Sequence, residues 1–220
     1  MARKADNVTK TGALIVLLTL LVLAFLSATA GYADLLSIAA HKLLHADNSS
    51  TGFLSREKLV KIVGMQKNAA RLSSLHADYQ LDLALLYQSH SDISSGTGGR
   101  QVTQQAAEHA RLAVIRRSAW ARAWSELAIA RFNHSGFDSQ VQVALSKAQQ
   151  LGSWERGVVS QVAWLAMTAW SQLPRQQQEM SAFFISAMKE PQFSQIIHQS
   201  ARRTGWSGFL RRLEREHGAG

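Results

Sequence analysis

Two histidines in this sequence have a spacing that could bind a metal ion. His41 and His45 lie four residues apart, which places both imidazoles on one face of a helix. A zinc site needs at least a third protein ligand, and the helix of a metalloprotease carries glutamate directly after its first histidine. Lys42 follows His41 instead, so the pair does not predict a metal site.

Two aspartates and a glycine-rich segment are the other candidates for chemistry. Asp78 and Asp82 are one helical turn apart, and paired carboxylates can act as general acid and base. They stand at the start of a predicted helix, however, where acidic side chains meet the exposed N–H groups favourably, so capping is the favoured role.

The glycine-rich segment 95–100 could suggest a phosphate-binding loop, but it lacks the Lys-Ser/Thr of a P-loop and a preceding strand. With no nucleophile elbow either, the sequence predicts a non-enzyme without a cofactor or a metal.

Aromatic side chains offer a better case for binding. The chain has 6 tryptophans. Tryptophans stack on the apolar faces of sugar rings, but large aromatic side chains also fill gaps between packed helices, and the core role is favoured for the set. The candidates for a groove that holds a protein partner or a glycan are Tyr79, Tyr87, Trp120, Trp124, Arg131 and Trp154.

The charge balance favours anionic partners. The formal net charge is +9, and a basic surface of this kind attracts nucleic acid, phospholipid headgroups or acidic polysaccharide. Five arginines near the C-terminus are the candidates for contact with an anionic surface, a solvated helix face being the alternative: Arg202, Arg203, Arg211, Arg212 and Arg215. Cysteine is absent, which excludes disulfides and thiolate chemistry.

An apolar segment at 12–31 predicts a transmembrane anchor. It carries no charge, and as a helix it would rise about 30 Å, the thickness of the hydrocarbon core of a bilayer. Arg3, Lys4 and Lys10 precede it against a single acid, Asp6. The positive-inside rule therefore keeps the short N-terminus in the cytoplasm and sends the rest of the chain across the membrane.

A cleaved signal peptide is the alternative to this anchor. The small residues Ala28 and Ala30 fit a cleavage site. Retention is favoured because the apolar core is long and the helical pattern continues beyond it as far as Leu44. In either case the bulk of the chain is extracytoplasmic, and we therefore expect no nucleic-acid partner.

The remaining sequence predicts an all-α, tetratricopeptide-like domain. Only 2 prolines interrupt it, and no sustained alternation predicts strands. Two helices, Gln80–Tyr87 and Trp124–Arg131, share one pattern, and each precedes a helix built on small residues. The matched positions are Leu83, Ala84 and Tyr87 with Leu127, Ala128 and Arg131, followed by Ala106, Ala110 and Ala113 with Val141, Leu145 and Ala148, and finally Ser118 with Ser153.

These elements divide the chain into five predicted regions. Turn formers at 47–52 and the polar, glycine-rich linker at 90–100 mark breaks between helices, and the helix after the linker is expected to begin near residue 102. Gly136 supplies a turn inside the second helix pair, and Gly205 marks a break between the last two short helices. The predicted regions are a cytoplasmic N-terminus at 1–11, the anchor at 12–31, a membrane-proximal helix and linker at 32–52, the helical-repeat domain at 53–190, and basic C-terminal helices at 191–220.

Three segments resemble the signature segments of VpsP-type proteins: 77–87, 119–128 and 151–155. The order of elements is also similar, from the N-terminal anchor to a helix that ends at Trp170 and Leu173-Pro174. The resemblance covers 77–174, without the glycine-rich linker or the basic C-terminus. It implies a membrane-anchored, tetratricopeptide-like protein encoded with bacterial exopolysaccharide synthesis and export machinery, and it supplies no catalytic residues.

The sequence therefore predicts a single-pass protein of the bacterial inner membrane whose bulk is periplasmic. Its expected function is that of a non-catalytic scaffold, with a helical-repeat groove that holds protein components of the polysaccharide machinery. The alternative is an extracytoplasmic glycan-binding module that uses exposed tryptophans and arginines, with an anionic glycan as the ligand.

Overall fold

The computed structural model describes residues 2–47, 56–91, 97–173 and 177–217, and these residues form ten α-helices and a short 3-10 helix, with no strand among them. The predicted all-α class is confirmed over these ranges. The helices are α1 Ala2–Asp47, α2 Arg56–Leu72, α3 Ala77–Ser91, α4 Thr97–Arg116, α5 Ala121–Ser135, α6 Ser139–Gly152, α7 Arg156–Thr168, α8 Gln177–Met188, α9 Pro191–Thr204 and α10 Ser207–His217, with the 3-10 helix at Trp170–Gln172. Contacts divide the chain into two compact units, Met1–Tyr79 and Gln80–Gly220.

Some predicted features lie outside the described residues. They are the turn segment at 48–52, the centre of the glycine-rich linker at 92–96, and Pro174. The described part of the linker differs from the prediction, because α4 begins at Thr97 rather than near residue 102 and takes in Gly98 and Gly99. A glycine costs about 1 kcal/mol in a helix, and the buried alanine face of α4 offsets that cost.

The first unit is dominated by one unbroken helix. Within α1, the stretch Leu14–Leu44 is long and apolar enough to cross a membrane, a test that a signal sequence also passes. The helix continues without a break past residue 31, as the pattern predicted. Ala33, Ser37 and Ala40 are buried and share one face of α1, which packs against α2.

An aspartate–tyrosine pair fixes the end of this unit. The Tyr79 hydroxyl donates a hydrogen bond to the Asp34 carboxylate, and the ring of His76 stacks on Tyr79 with the centroids 5.1 Å apart. Tyr79 is therefore a buried residue that ties the first turn of α3 to α1.

The second unit is a helical array held together by small residues. Helix α5 packs against α4, α6 and α7, while α7 and α8 pack against α9, and α10 packs against α8 and α9. Short side chains let helix backbones approach closely. Buried alanines fill the contacts between the first four of these helices: Ala106, Ala110 and Ala113 in α4, Ala123, Ala128 and Ala130 in α5, Ala144 and Ala148 in α6, and Ala163 and Ala166 in α7.

The positions matched in the predicted repeat are buried, except for Arg131 and for Ser118 and Ser153, both of which are exposed. Leu83, Ala84 and Tyr87 in α3 are buried, as are Leu127 and Ala128 in α5, whereas Arg131 is half-buried. Glycines end two helices as predicted, since Gly136 and Gly205 both have φ of 78°. The helix pairs are thus observed, and their tetratricopeptide character stays a prediction.

Candidate functional site

A cleft open to solvent lies among α5, α7 and α9. Its volume is about 290 Å³. Positions one turn apart on a helix share a face, so α7 contributes three side chains and α9 two to the same cleft. The lining residues are Ile129 of α5, Ser160, Gln161 and Trp164 of α7, and Ser200 and Arg203 of α9.

The cleft combines one aromatic ring with one cation. Trp164 is half-buried, and its ring meets Phe132 at 85° with the centroids 6.2 Å apart. Arg203 is exposed, and no carboxylate among the described residues forms a salt bridge with it. Because no acidic side chain lines the cleft, it is positively charged.

A buried carboxylate orients one residue of the lining. Glu126 of α5 is only 3% exposed. The Gln161 Nε2 donates to Glu126 Oε1 at 2.6 Å, and the Gln88 Nε2 donates to Glu126 Oε2 at 3.2 Å. The Ser125 hydroxyl donates to the Gln161 Oε1 at 2.5 Å. Since an amide nitrogen carries two N–H groups, this network holds Gln161 in place and engages only one of them.

Burial controls the ionisation of this carboxylate. Removal from water raises the pKa of Glu126, and hydrogen bonds from Gln161 and Gln88, with the nearby charge of Arg122, oppose that rise in part. Both carboxylate oxygens accept hydrogen bonds from amides, and Glu126 does not line the cleft. Its position suits support of Gln161 rather than proton transfer to a ligand.

Two loops of the second unit meet at a separate surface, which we call the aromatic end and define by Ile115, Arg117, Trp120, Trp124 and Trp154. Helices α5 and α6 pack together and are joined by a short turn, so they run antiparallel. The loop before α5 and the loop after α6 are therefore neighbours. A Cβ built on Gly152 would lie 2.5 Å from the Cβ of Ala121, which shows how closely these two helix ends approach.

The aromatic end presents large apolar side chains to solvent. Trp154 is 66% exposed and Ile115 is 62% exposed. The guanidinium carbon of Arg117 lies 4.8 Å from the ring centroid of Trp120, within cation–π distance. The Trp124 Nε1 donates to the carbonyl of Ser118 at 2.7 Å, which anchors that ring to the loop.

The other residues predicted for the groove lie elsewhere. Tyr87 is buried, and its ring stacks on His109 with the centroids 5.5 Å apart. Arg131 is at the opposite end of α5 from Trp120, where it forms a salt bridge of 3.2 Å with Asp138. Tyr79 belongs to the first unit. The structure places the loop that holds Trp120 beside the loop that holds Trp154, and the groove role of the whole set stays a prediction.

The five C-terminal arginines are exposed, on α9 and α10. Arg203 is the member of this set that lines the cleft. A contact of 3.2 Å between His198 Nε2 and Glu214 Oε1 joins the two helices. The predicted contact of these arginines with an anionic surface stays a prediction.

No group of three metal-ligating side chains occurs among the described residues. His41 is exposed on α1, and the side chain of His45 lies outside the described residues. Asp78 is exposed in the first turn of α3, the position predicted for capping.

Sequence reasoning missed Glu126 and Gln161. A signal for Glu126 exists, because it shares a helix face with Ala123 and Ala130, both of which are buried. A charged residue on an apolar face predicts a buried polar network. Gln161 had the same signal, because it shares a helix face with the buried residues Val158 and Leu165, whereas its hydrogen-bond partners on α5 required the tertiary structure.

Comparison with known proteins does not assign the chain to a family. No protein-family model matches the chain, and no curated protein matches it either. The resemblance to VpsP-type proteins over 77–174 stays a prediction.

Proposed function

We propose that this chain is a non-catalytic, membrane-anchored scaffold that binds a partner protein at its aromatic end. The observation that carries the proposal is the 66% exposure of Trp154 next to the loop that holds Trp120. Exposed tryptophans and arginines are the residues that contribute most to binding energy at protein interfaces. Single exposed apolar residues are common on protein surfaces, but here Trp154 and Ile115 are both largely exposed, and Trp154 follows a helix end that packs closely against the start of α5.

The anchor in this proposal is the apolar part of α1. Its helix passes through the predicted cleavage motif at Ala28 and Ala30 and ends at Asp47, which favours retention over cleavage. With Arg3, Lys4 and Lys10 on the cytoplasmic side, the second unit would be periplasmic. An anchor holds the scaffold at the membrane, where polysaccharide assembly takes place.

The helical array suits a scaffold because it is preformed. Stacked helix pairs of tetratricopeptide type present fixed surfaces, so binding costs little conformational entropy. The resemblance over 77–174 supplies the pathway, and the proposed partner is a protein component of bacterial exopolysaccharide synthesis or export.

The absence of cysteine makes this proposal easy to test. Ser153→Cys places one thiol beside Trp154 and leaves the tryptophan intact. Val143→Cys is the matched control, because Val143 is 55% exposed and lies on α6, the helix that ends directly before Ser153. Treatment of native membranes with a thiol-reactive photocrosslinker should give a covalent adduct with one polysaccharide-machinery protein from residue 153 and not from residue 143.

A second substitution shows whether the adduct depends on the aromatic end. In the Ser153→Cys background, Trp154→Ala should reduce the adduct by about tenfold, as expected for loss of an interface anchor worth at least 1.4 kcal/mol. An adduct that persists unchanged without Trp154, or equal adducts from residues 143 and 153, would refute the proposal.

A further inference from the structure

The cleft among α5, α7 and α9 differs in chemistry from the aromatic end. It holds one cation, two hydroxyl groups, one amide and one aromatic ring, and it has no acidic side chain. We infer that this cleft binds one carboxylate-bearing sugar residue of an acidic glycan. The inference concerns a different surface from the aromatic end and does not depend on the proposed partner protein.

Arg203 supplies the charge recognition. A guanidinium presents a planar set of N–H donors that matches a carboxylate in a bidentate pair. Since Arg203 is exposed and no carboxylate among the described residues pairs with it, its donors are available to a ligand. A neutral sugar could not form an ion pair with the guanidinium of Arg203.

The polar lining fits the hydroxyl groups of a sugar ring. Ser160 and Ser200 each offer a hydroxyl that both donates and accepts. Gln161 is held by Ser125 and Glu126, and one of its N–H groups is not engaged in that network. An oriented amide binds a ligand without first losing the entropy of a free side chain. Trp164 provides an apolar ring surface for the C–H face of the sugar.

The backbone around the cleft favours a sugar over an acidic peptide. All six lining residues lie within helices, whose backbone groups are hydrogen-bonded along the helix. The cleft therefore offers side-chain partners only, whereas an extended peptide gains much of its affinity from main-chain hydrogen bonds. The volume of about 290 Å³ is at the lower end for small-molecule sites, which suits a single ring.

Calorimetric titration of the full chain in lipid nanodiscs tests the inference. The probes are an oligogalacturonate hexamer, a neutral hexasaccharide of glucose, and hexaglutamate as the acidic peptide. Arg203→Gln removes the proposed contact. Arg202→Gln is a matched control, because Arg202 is exposed in the same last turn of α9 but does not line the cleft.

The expected result is binding of the oligogalacturonate that weakens by about tenfold or more in Arg203→Gln, the effect of losing a charge-assisted hydrogen bond. In Arg202→Gln the affinity should stay within about twofold, because an exposed charge outside the contact adds little. Equal binding of the neutral hexasaccharide, equal losses in the two variants, no binding at all, or equal binding of hexaglutamate would each overturn the inference.

Discussion

The aromatic end and the cleft are two surfaces of one helical unit that differ in how their side chains are fixed. The aromatic end is built on two loops, and a close contact between Gly152 and Ala121 holds them together. The cleft is built on helix interiors, and a buried hydrogen-bond network around Glu126 orients its lining. One surface depends on the packing of two helix ends and the other on a buried carboxyl group, so different substitutions should disturb each.

The largest effect on stability should come from removing the buried carboxylate. Glu126→Ala leaves the amides of Gln88 and Gln161 without their acceptor in a buried site, and an unsatisfied buried group costs about 1–3 kcal/mol. We expect the free energy of unfolding to fall by about 3 kcal/mol, measured by urea denaturation of the full chain in detergent micelles. A loss below about 0.5 kcal/mol would show that the network does not stabilise this region.

The same residue predicts a pH dependence. Because burial raises the pKa of Glu126, the folded state holds this proton more tightly than the unfolded state does. Its contribution to stability is therefore fully present below the unfolded pKa of glutamate and is lost as pH rises through the folded value. Glu126→Gln should flatten the fall in stability across this window, and an unchanged slope would contradict the prediction.

The next effect concerns the packing of the aromatic end. Gly152→Ala would place a Cβ 2.5 Å from the Cβ of Ala121, and overpacking of this kind costs about 1–3 kcal/mol. We expect a loss of about 2 kcal/mol in thermal or urea unfolding. Gly157→Ala is the matched control, because no atom lies within 4 Å of its added Cβ and alanine favours a helix. Equal losses of stability in Gly152→Ala and Gly157→Ala would contradict the view that close packing of α5 and α6 supports the aromatic end.

A smaller effect is expected at the opposite end of α5, at the N-cap of α6. The carboxylate of Asp138 accepts hydrogen bonds from the N–H groups of Gln140 and Val141. Partial burial pushes its pKa up, but these bonds and the salt bridge with Arg131 outweigh that and lower it. Asp138→Ala should cost about 1 kcal/mol, the usual value of an N-cap.

The sign of the pH effect at Asp138 is opposite to that at Glu126. Because the pKa of Asp138 is lowered on folding, its contribution is present above the unfolded pKa of aspartate and is lost as pH falls through the folded value. Asp138→Asn keeps a capping side chain and should remove only this acid-dependent part. If Asp138→Asn loses as much stability as Asp138→Ala at neutral pH, the charge of Asp138, and not its capping hydrogen bonds, stabilises the fold.

The sequence predicted the helices better than the sites. Periodicity, sparse proline and glycines at helix ends were enough to predict an all-α chain and the ends of α5 and α9, because these depend on local rules. Trp120 and Trp154 were predicted as groove candidates because exposed aromatic side chains bind ligands, and that role stays a prediction. Their neighbourhood could not be predicted, because it depends on the approach of α6 to α5.

The cleft could not be predicted for the same physical reason. Arg203 was recognised only as one of five basic residues, and Trp164 was assigned to the core with the other tryptophans. Their common surface arises where α7 packs between α5 and α9, a contact between segments distant in the chain. Spacing within one helix gives the face of a residue but not the helix that faces it.

The central claim is that one anchored helical unit carries two separate recognition surfaces. The most direct test measures both activities in the same two variants, Trp154→Ala and Arg203→Gln, each made in the Ser153→Cys background. The first should lose the crosslink from residue 153 and keep its oligogalacturonate affinity, and the second should do the reverse. Loss of both activities in either variant, with the helical fold intact by circular dichroism, would contradict the claim.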